Sequence, residues 1–297
     1  MPIKTEATII AGTPSRSADF VALAKPRLNL LVVVSSIAGY TMGGGDTHDV
    51  WRMLAVAIGT GLVAGGASAF NQVLERDADA KMHRTRLRPM PDQRLSIRDA
   101  LLFASALSVA GLAALALAAN ALSAVVALLT LASYTVVYTP LKRVTSFATV
   151  VGAIPGALPP VIGWAAAQDA LSRGAWILFG IVFLWQLPHF LAIAWIYRED
   201  YARAGFPMLS VIDPDGRSTA RQSVIYAAAL LPVSLGPTLI GMTGSVYFTG
   251  ALLLSVVFVA LTVKFGLTRS IPDARRLFFG SITYLPLLWL LMILNRT

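Results

Sequence analysis

Stretches of mostly apolar residues, each close to the roughly 17 to 25 that a helix needs to cross a bilayer, follow one another along the chain with short polar breaks. They fall at 27–45, 52–72, 97–119, 121–139, 145–167, 174–197, 221–241, 245–266 and 277–295. The pattern predicts an all-α integral membrane protein built as a bundle of nine transmembrane helices. Composition agrees: 13% of residues are charged and 56% hydrophobic, where a soluble domain carries roughly a quarter charged. Mean hydropathy is +0.70. Residues 1–24 are polar and run directly into a full-length span, unlike a cleavable signal with its short apolar region. They read as a cytoplasmic polar tail, with 25–297 as one transmembrane domain.

Charge sets the expected orientation. Of the 24 lysines and arginines, all but Arg52, Arg173 and Arg296 fall on one side of the proposed spans. By the positive-inside rule that side is cytoplasmic, so the amino terminus lies inside and the carboxyl terminus outside, as in a bacterial inner (plasma) membrane. The net charge of +9 is then explained by a basic face meeting anionic lipid head groups, with no need for nucleic acid. The acids share the asymmetry, with only Asp46, Asp49 and Asp169 outside. Acids contribute little to topology, so a surplus of inner carboxylates asks for another use. A polar active-site cap over the inner end of the bundle supplies one.

The densest such segment is 71–85, NQVLERDADAKMHRT, which places three carboxylates and four basic or imidazole side chains between strongly apolar stretches. Asn71, Glu75 and Asp79 recur at i, i+4 and i+8, so on a helix they share one face. Oxygen ligands in a row suit a hard divalent cation, and such a cation at the mouth of an apolar cavity suits a diphosphate. The chain has no cysteine, which excludes thiolate metal sites, disulfides and haem attachment through Cys-x-x-Cys-His. Any metal must use oxygen or imidazole.

Three further segments carry polar chemistry on the same side. Tyr138-Thr-Pro140-Leu-Lys142-Arg143 is a short connection in which proline interrupts a helix and two cations follow. Trp185-Gln186-Leu-Pro188-His189 runs on to Tyr197-Arg198-Glu199-Asp200-Tyr201 and Ala204-Gly205-Phe-Pro207-Met-Leu209, and Lys25-Pro26-Arg27 opens the first span. Together with Arg84-Thr85, these motifs resemble the UbiA-type intramembrane prenyltransferase family, in its haem-farnesylating branch, over nearly the whole chain from Lys25 onward.

The resemblance implies a helical bundle with a central cavity opening to a cytoplasmic polar cap, a Mg2+-dependent diphosphate site at its mouth, and transfer of the farnesyl group of farnesyl diphosphate to the vinyl side chain of haem b. Asn71, Glu75, Asp79 and Asp200 would hold Mg2+. Lys142, Arg143, Arg84, Arg198, Lys25 and Arg27 would grip phosphate oxygens, and Tyr138 would lie against the allylic cation. His189 would coordinate haem iron, hydrogen-bond a propionate, or simply pack between helices. A downstream haem A synthase or the terminal oxidase assembly machinery is a further implied partner. Two features depart from the family pattern: Glu75 stands where aspartate is usual, and Glu199 and Asp200 are adjacent where the second motif carries aspartates four apart. Neighbouring helical residues point about 100° apart, which favours Asp200 over Glu199.

Blander readings hold for other residues. Arg76, Asp77, Lys81 and Arg98 read as a solvated face with weak surface pairs. The run Arg86-Leu-Arg88-Pro-Met-Pro91 fits a lipid-facing basic loop equally well. Trp51, Trp176 and Trp289 fit the interfacial belt or lipid packing, and Gly59, Gly61, Gly65 and Gly66 permit close helix approach. A sibling prenyltransferase acting on 4-hydroxybenzoate is the nearest rival, and a secondary transporter the rival of another class, since acidic segments at the ends of spans two and six hint at a repeat.

Overall fold

Helices form where the apolar runs are, and polar residues fix where several of them begin. A computed structural model describes residues 14–46 and 48–297; residues 1–13, which include most of the tail, and Thr47 lie outside the described residues. The elements are α1 (Arg16–Ala24), α2 (Pro26–Met42), α3 (Val50–Leu74), α4 (Arg76–Asp79), α5 (Ile97–Ala118), α6 (Ala121–Ala132), a π-helical turn (Ser133–Tyr138), α7 (Thr139–Leu141), α8 (Ala148–Ala157), α9 (Pro159–Gln168), α10 (Arg173–Ile196), α11 (Arg198–Arg203), α12 (Leu209–Ile212), α13 (Arg217–Leu239), α14 (Ser245–Thr268) and α15 (Ile271–Leu294). Side-chain oxygens of Asp49, Ser96, Asn120 and Ser270 accept backbone N–H groups at the starts of α3, α5, α6 and α15, satisfying donors that the first turn leaves free.

Eight helices or continuous helix pairs are individually long and apolar enough to cross a membrane, and α1 with α2 forms a ninth candidate bent by 41°. The bend is local chemistry: Lys25 sits at φ 48°, in the left-handed region, and Pro26 starts α2. The end of the segment expected to be a polar tail is therefore helical. Gln72 donates to the carbonyls of Ala22 and Leu23, and Arg94 holds the buried Asp19 at 3.0 Å, fastening α1 across α3.

Two groups of helices pack side by side. In the first, α3 runs against α5 and α2 against α9; in the second, α10, α13, α14 and α15 pack in succession. Apolar burial does not drive helix association within lipid, so close approach and interhelical hydrogen bonds carry it. The α2–α9 crossing is the tightest: a Cβ on Gly39 would lie 1.9 Å from the Pro160 carbonyl oxygen, and one on Gly163 1.8 Å from that of Ser36. In the second group, Tyr247 donates to the Ser234 carbonyl at 2.7 Å, while the hydroxyls of Ser234, Ser255 and Tyr284 form a chain at 2.9 Å per link. That chain ties α13, α14 and α15 through their centres.

Gly163→Ala is expected to force α2 and α9 apart and destabilise the protein by at least about 1–3 kcal/mol, the usual penalty of overpacking. Thermal unfolding in detergent reads this directly, and an unchanged midpoint would refute the crossing.

Candidate active site

The mouth of the first helix group is built where α3 ends. Glu75 leaves helical geometry between α3 and α4, yet its N–H still bonds the Asn71 carbonyl at 2.9 Å and the Asp79 N–H bonds the Glu75 carbonyl at 2.8 Å. The three polar side chains therefore keep the four-residue register across the break. All three are buried, Glu75 at 3% and Asp79 at 1% exposure, so their charge has to be met by protein or ligand.

Cations from two separate segments meet it. Lys142 Nζ lies 2.8 and 3.1 Å from the two Glu75 oxygens, and Arg88 donates to Asp79 Oδ2 at 2.8 Å. Lys142 is delivered by the π turn. Pro140 has no N–H to offer the preceding turn, the chain widens there, and the Thr139 hydroxyl donates back to the Tyr134 carbonyl at 2.9 Å. Thr139 in turn accepts the Asn71 amide N–H at 3.3 Å. Arg143 then donates to the Leu74 carbonyl at 2.6 Å, closing the last turn of α3. Burial alone would pull the Lys142 ammonium down, but the Glu75 carboxylate beside it holds it well above the ordinary lysine value. It stays charged at neutral pH. Its ammonium also lies 5.3 Å from the Tyr138 and Phe206 ring centres. Lys25, carried by the α1–α2 bend, lies near Arg88, Asp79, Lys142 and Glu75 but, among the described residues, forms no ion pair with either carboxylate.

The second acidic segment reaches the same end from α10. The Asp200 carboxylate accepts the backbone N–H groups of His83 at 3.1 Å and Arg84 at 3.3 Å, and pairs with Arg203. Burial pushes this carboxyl up, but those N–H donors and Arg203 outweigh it and leave it below the usual carboxylate range. The loop so held presents Arg84 over the Tyr197 ring at 4.8 Å, with Tyr201 behind it.

Several expected site residues sit elsewhere. Arg198 rests on the Trp195 ring at 4.6 Å, Arg27 and Glu199 are exposed, and Asp200 organises the 83–84 loop. Among the described residues no three carboxylate or imidazole groups gather as a metal cage, and the contacts of Asp200 are with the 83–84 loop and Arg203. His189 stacks between Trp185 and Phe278, with Nδ1 2.7 Å from the Ser281 hydroxyl on α15. Arg88, Gln72 and Thr139 are components that spacing did not single out. The only cue for Arg88 was its place four residues after Arg84 in a proline-marked run.

Beside the mouth a cavity of about 130 Å³ runs along α3, lined mainly by small and apolar residues such as Val63, Ala64, Ala67 and Gly156, with Ser68 and Tyr134 among the polar ones. The arrangement can bind a multiply charged anion at one end and an apolar chain at the other.

Comparison with known proteins follows the same lines. The model of the UbiA prenyltransferase family matches residues 32–289. A protoheme IX farnesyltransferase of Solibacter usitatus is 52% identical, covering 94% of this chain and 98% of its own; one of Koribacter versatilis is 41% identical, covering 96% of each. Among solved structures, a digeranylgeranylglyceryl phosphate synthase superposes with TM-score 0.78 at 14% identity, covering 94% of this chain and 98% of its own. A UbiA homologue of Archaeoglobus fulgidus bound to GPP and Mg2+ superposes with TM-score 0.63 at 15% identity, covering 93% and 99%. At such identity these structures speak for the fold.

Asp200→Asn is expected to weaken the anchoring of the 83–84 loop by about 1–3 kcal/mol. Because the Asp200 pKa is depressed on folding, its contribution is complete above the unfolded carboxyl value of about 4 and is lost as pH falls through the lowered folded value. Amide hydrogen exchange at His83 and Arg84 should accelerate in the variant at neutral pH; unchanged protection would remove Asp200 from this role.

Proposed function

The chain belongs to the UbiA prenyltransferase family, and from that membership we propose that it transfers the farnesyl group of farnesyl diphosphate to the vinyl side chain of haem b, yielding haem O and diphosphate. The observation that carries the reading is the buried pair Glu75 and Asp79, each matched by one cation, Lys142 and Arg88, at the edge of an apolar cavity. Identity of 40% and more to several farnesyltransferases along nearly the whole chain supports donor and acceptor.

In the reaction the terminal vinyl carbon of haem attacks C1 of the farnesyl chain as the C1–oxygen bond to diphosphate breaks. Positive charge passes to the inner vinyl carbon, where water adds and gives up a proton. The leaving group's charge is the main obstacle. Lys142 and Arg88 turn from their carboxylates toward phosphate oxygens as substrate binds, with Lys25, Arg84 and Arg143 at the rim. The donor set fits Mg2+: the Asn71 amide donates through nitrogen to Thr139, leaving its oxygen open, and Asp79 keeps one carboxylate oxygen free of Arg88. Hard oxygens of this kind, one or two carboxylates with substrate phosphates, are what this ion takes. Bound by Asn71, Glu75 and Asp79, it would neutralise the departing diphosphate. The apolar cavity keeps water from the allylic carbon, and the Tyr138 ring faces the charge that develops there.

His189 is the residue we assign to the acceptor. Ser281 donates its single hydroxyl proton to the Phe278 carbonyl at 2.5 Å, so it receives the proton of His189 Nδ1. The neutral imidazole then keeps a lone pair on Nε2, the form that binds iron. The basic end of the bundle, with the amino terminus, faces the cytoplasm in this reading, and α1 docks onto the single domain 25–297.

The test is mass analysis of haem extracted after the purified protein meets haem b, farnesyl diphosphate and Mg2+, with and without chelator. A chelator-sensitive farnesyl adduct is expected. An aromatic acid prenylated in place of haem would keep the family and change the acceptor.

Asn71→Ala is expected to cut transfer by about 10²–10³-fold, the scale of losing one preorganised stabilising contact, while the protein still folds. Near-normal turnover would remove the metal assignment. His189→Ala and Ser281→Ala should raise the KM for haem and leave that for farnesyl diphosphate unchanged; equal losses for both substrates would argue against an acceptor role.

A further inference from the structure

Away from this mouth, the seam between α13 and α14 carries a second basic feature at the same end of the bundle. Arg217, Arg221 and Arg269 line an open groove of about 420 Å³ that also includes Gly266, Ile225 and Leu267. The ion pairs nearby are Arg203–Asp200, Lys264–Asp273 and Arg276–Asp273, so among the described residues no carboxylate matches any of the three arginines. Ile225 and Leu267 are 54% and 78% exposed, as residues facing lipid would be.

The arginines are held in place. Trp195, near the end of α10, donates its indole N–H to the Arg269 carbonyl at 2.9 Å. The same ring packs so closely on Gly216, the residue before Arg217, that a Cβ there would lie 2.5 Å from it. One tryptophan thus sets the start of α13 beside the end of α14. Arg269 also adopts φ 49°, a left-handed position at which helices usually place glycine. An arginine kept at a strained site points to a use for its side chain. Gly266 keeps the groove open: a Cβ there would meet Ala220 only at ordinary contact, 3.7 Å, so a larger side chain would extend into the free space.

We propose that this groove binds one anionic phospholipid, its phosphodiester against Arg217, Arg221 and Arg269 and an acyl chain along the α13–α14 seam. The charges stand where two spans begin and end, at head-group depth, and basic pockets between spans at that depth suit anionic head groups. The apolar walls separate the site from one for a free anion, which would find no use for Ile225 and Leu267. The groove is distinct from the Glu75–Asp79 mouth and does not depend on what that mouth transfers.

The full-length protein, delipidated in neutral detergent, is titrated with phosphatidylglycerol or phosphatidylcholine and the bound lipid counted by native mass spectrometry, with inorganic phosphate as a competing arm. Phosphatidylglycerol should be preferred, and the preference should fall about fivefold for each of Arg217→Gln, Arg221→Gln and Arg269→Gln. Gly266→Leu, which keeps every charge, should lose retained lipid while melting as the parent does. Equal retention of the two lipids overturns the proposal, as does a preference that survives all three glutamines together. If inorganic phosphate displaces the lipid completely and Gly266→Leu changes nothing, the site serves a soluble anion and the lipid assignment fails.

Discussion

Two carboxylates buried at the end of a membrane span cannot stand alone, and much of the candidate site follows from how Glu75 and Asp79 are compensated. Each is matched by one cation, Lys142 at 2.8 Å and Arg88 at 2.8 Å. The cost of removing one partner from such a pair, about 3–5 kcal/mol, ties three segments to one depth: the end of α3, the π turn before α7 and the loop after α4. In the function proposed above, a ligand that offers anionic oxygens and metal together would replace both halves of each pair at once.

The second constraint is that the site is shared between the two helix groups. Asp200, in α11, has no direct bond to Glu75 or Asp79, but it holds the backbone of the loop that carries Arg84. Phe206 from the following segment reaches the Lys142 ammonium. Trp195 extends the linkage outward to the starts and ends of α13 and α14. The Arg84 loop beside one group is thus held by hydrogen bonds from the other, which explains why polar residues accumulate at this end of both.

Much of the architecture was legible beforehand. Eight of the nine apolar stretches reappear as helices long and apolar enough to span, and the first reappears only as part of the bent α1–α2 pair, because transfer from water to lipid is a property of composition along a short window. The shared face of Asn71, Glu75 and Asp79 was legible too, since the four-residue repeat of a helix is a local rule that survived even the break at Glu75. The bend at Lys25-Pro26 and the interruption at Pro140 carry their own signals in the missing N–H of proline. The π turn itself did not, because widening by one residue leaves no trace in hydropathy.

Sequence alone therefore determined the spans, the end at which polar chemistry collects and the kinds of groups available. Tertiary structure decided which of those groups meet. Lys142 faces Glu75 while Arg198 rests on Trp195, Arg88 pairs with Asp79 while Arg84 lies over Tyr197, Asp200 supports a loop, and His189 turns its Nδ1 to Ser281. Spacing along a helix fixes direction about its axis, but the partners of Glu75 and His189 lie 67 and 92 residues away. Whether such groups touch depends on helix crossing angles and on close approaches such as Gly39 against Pro160, which no local periodicity encodes.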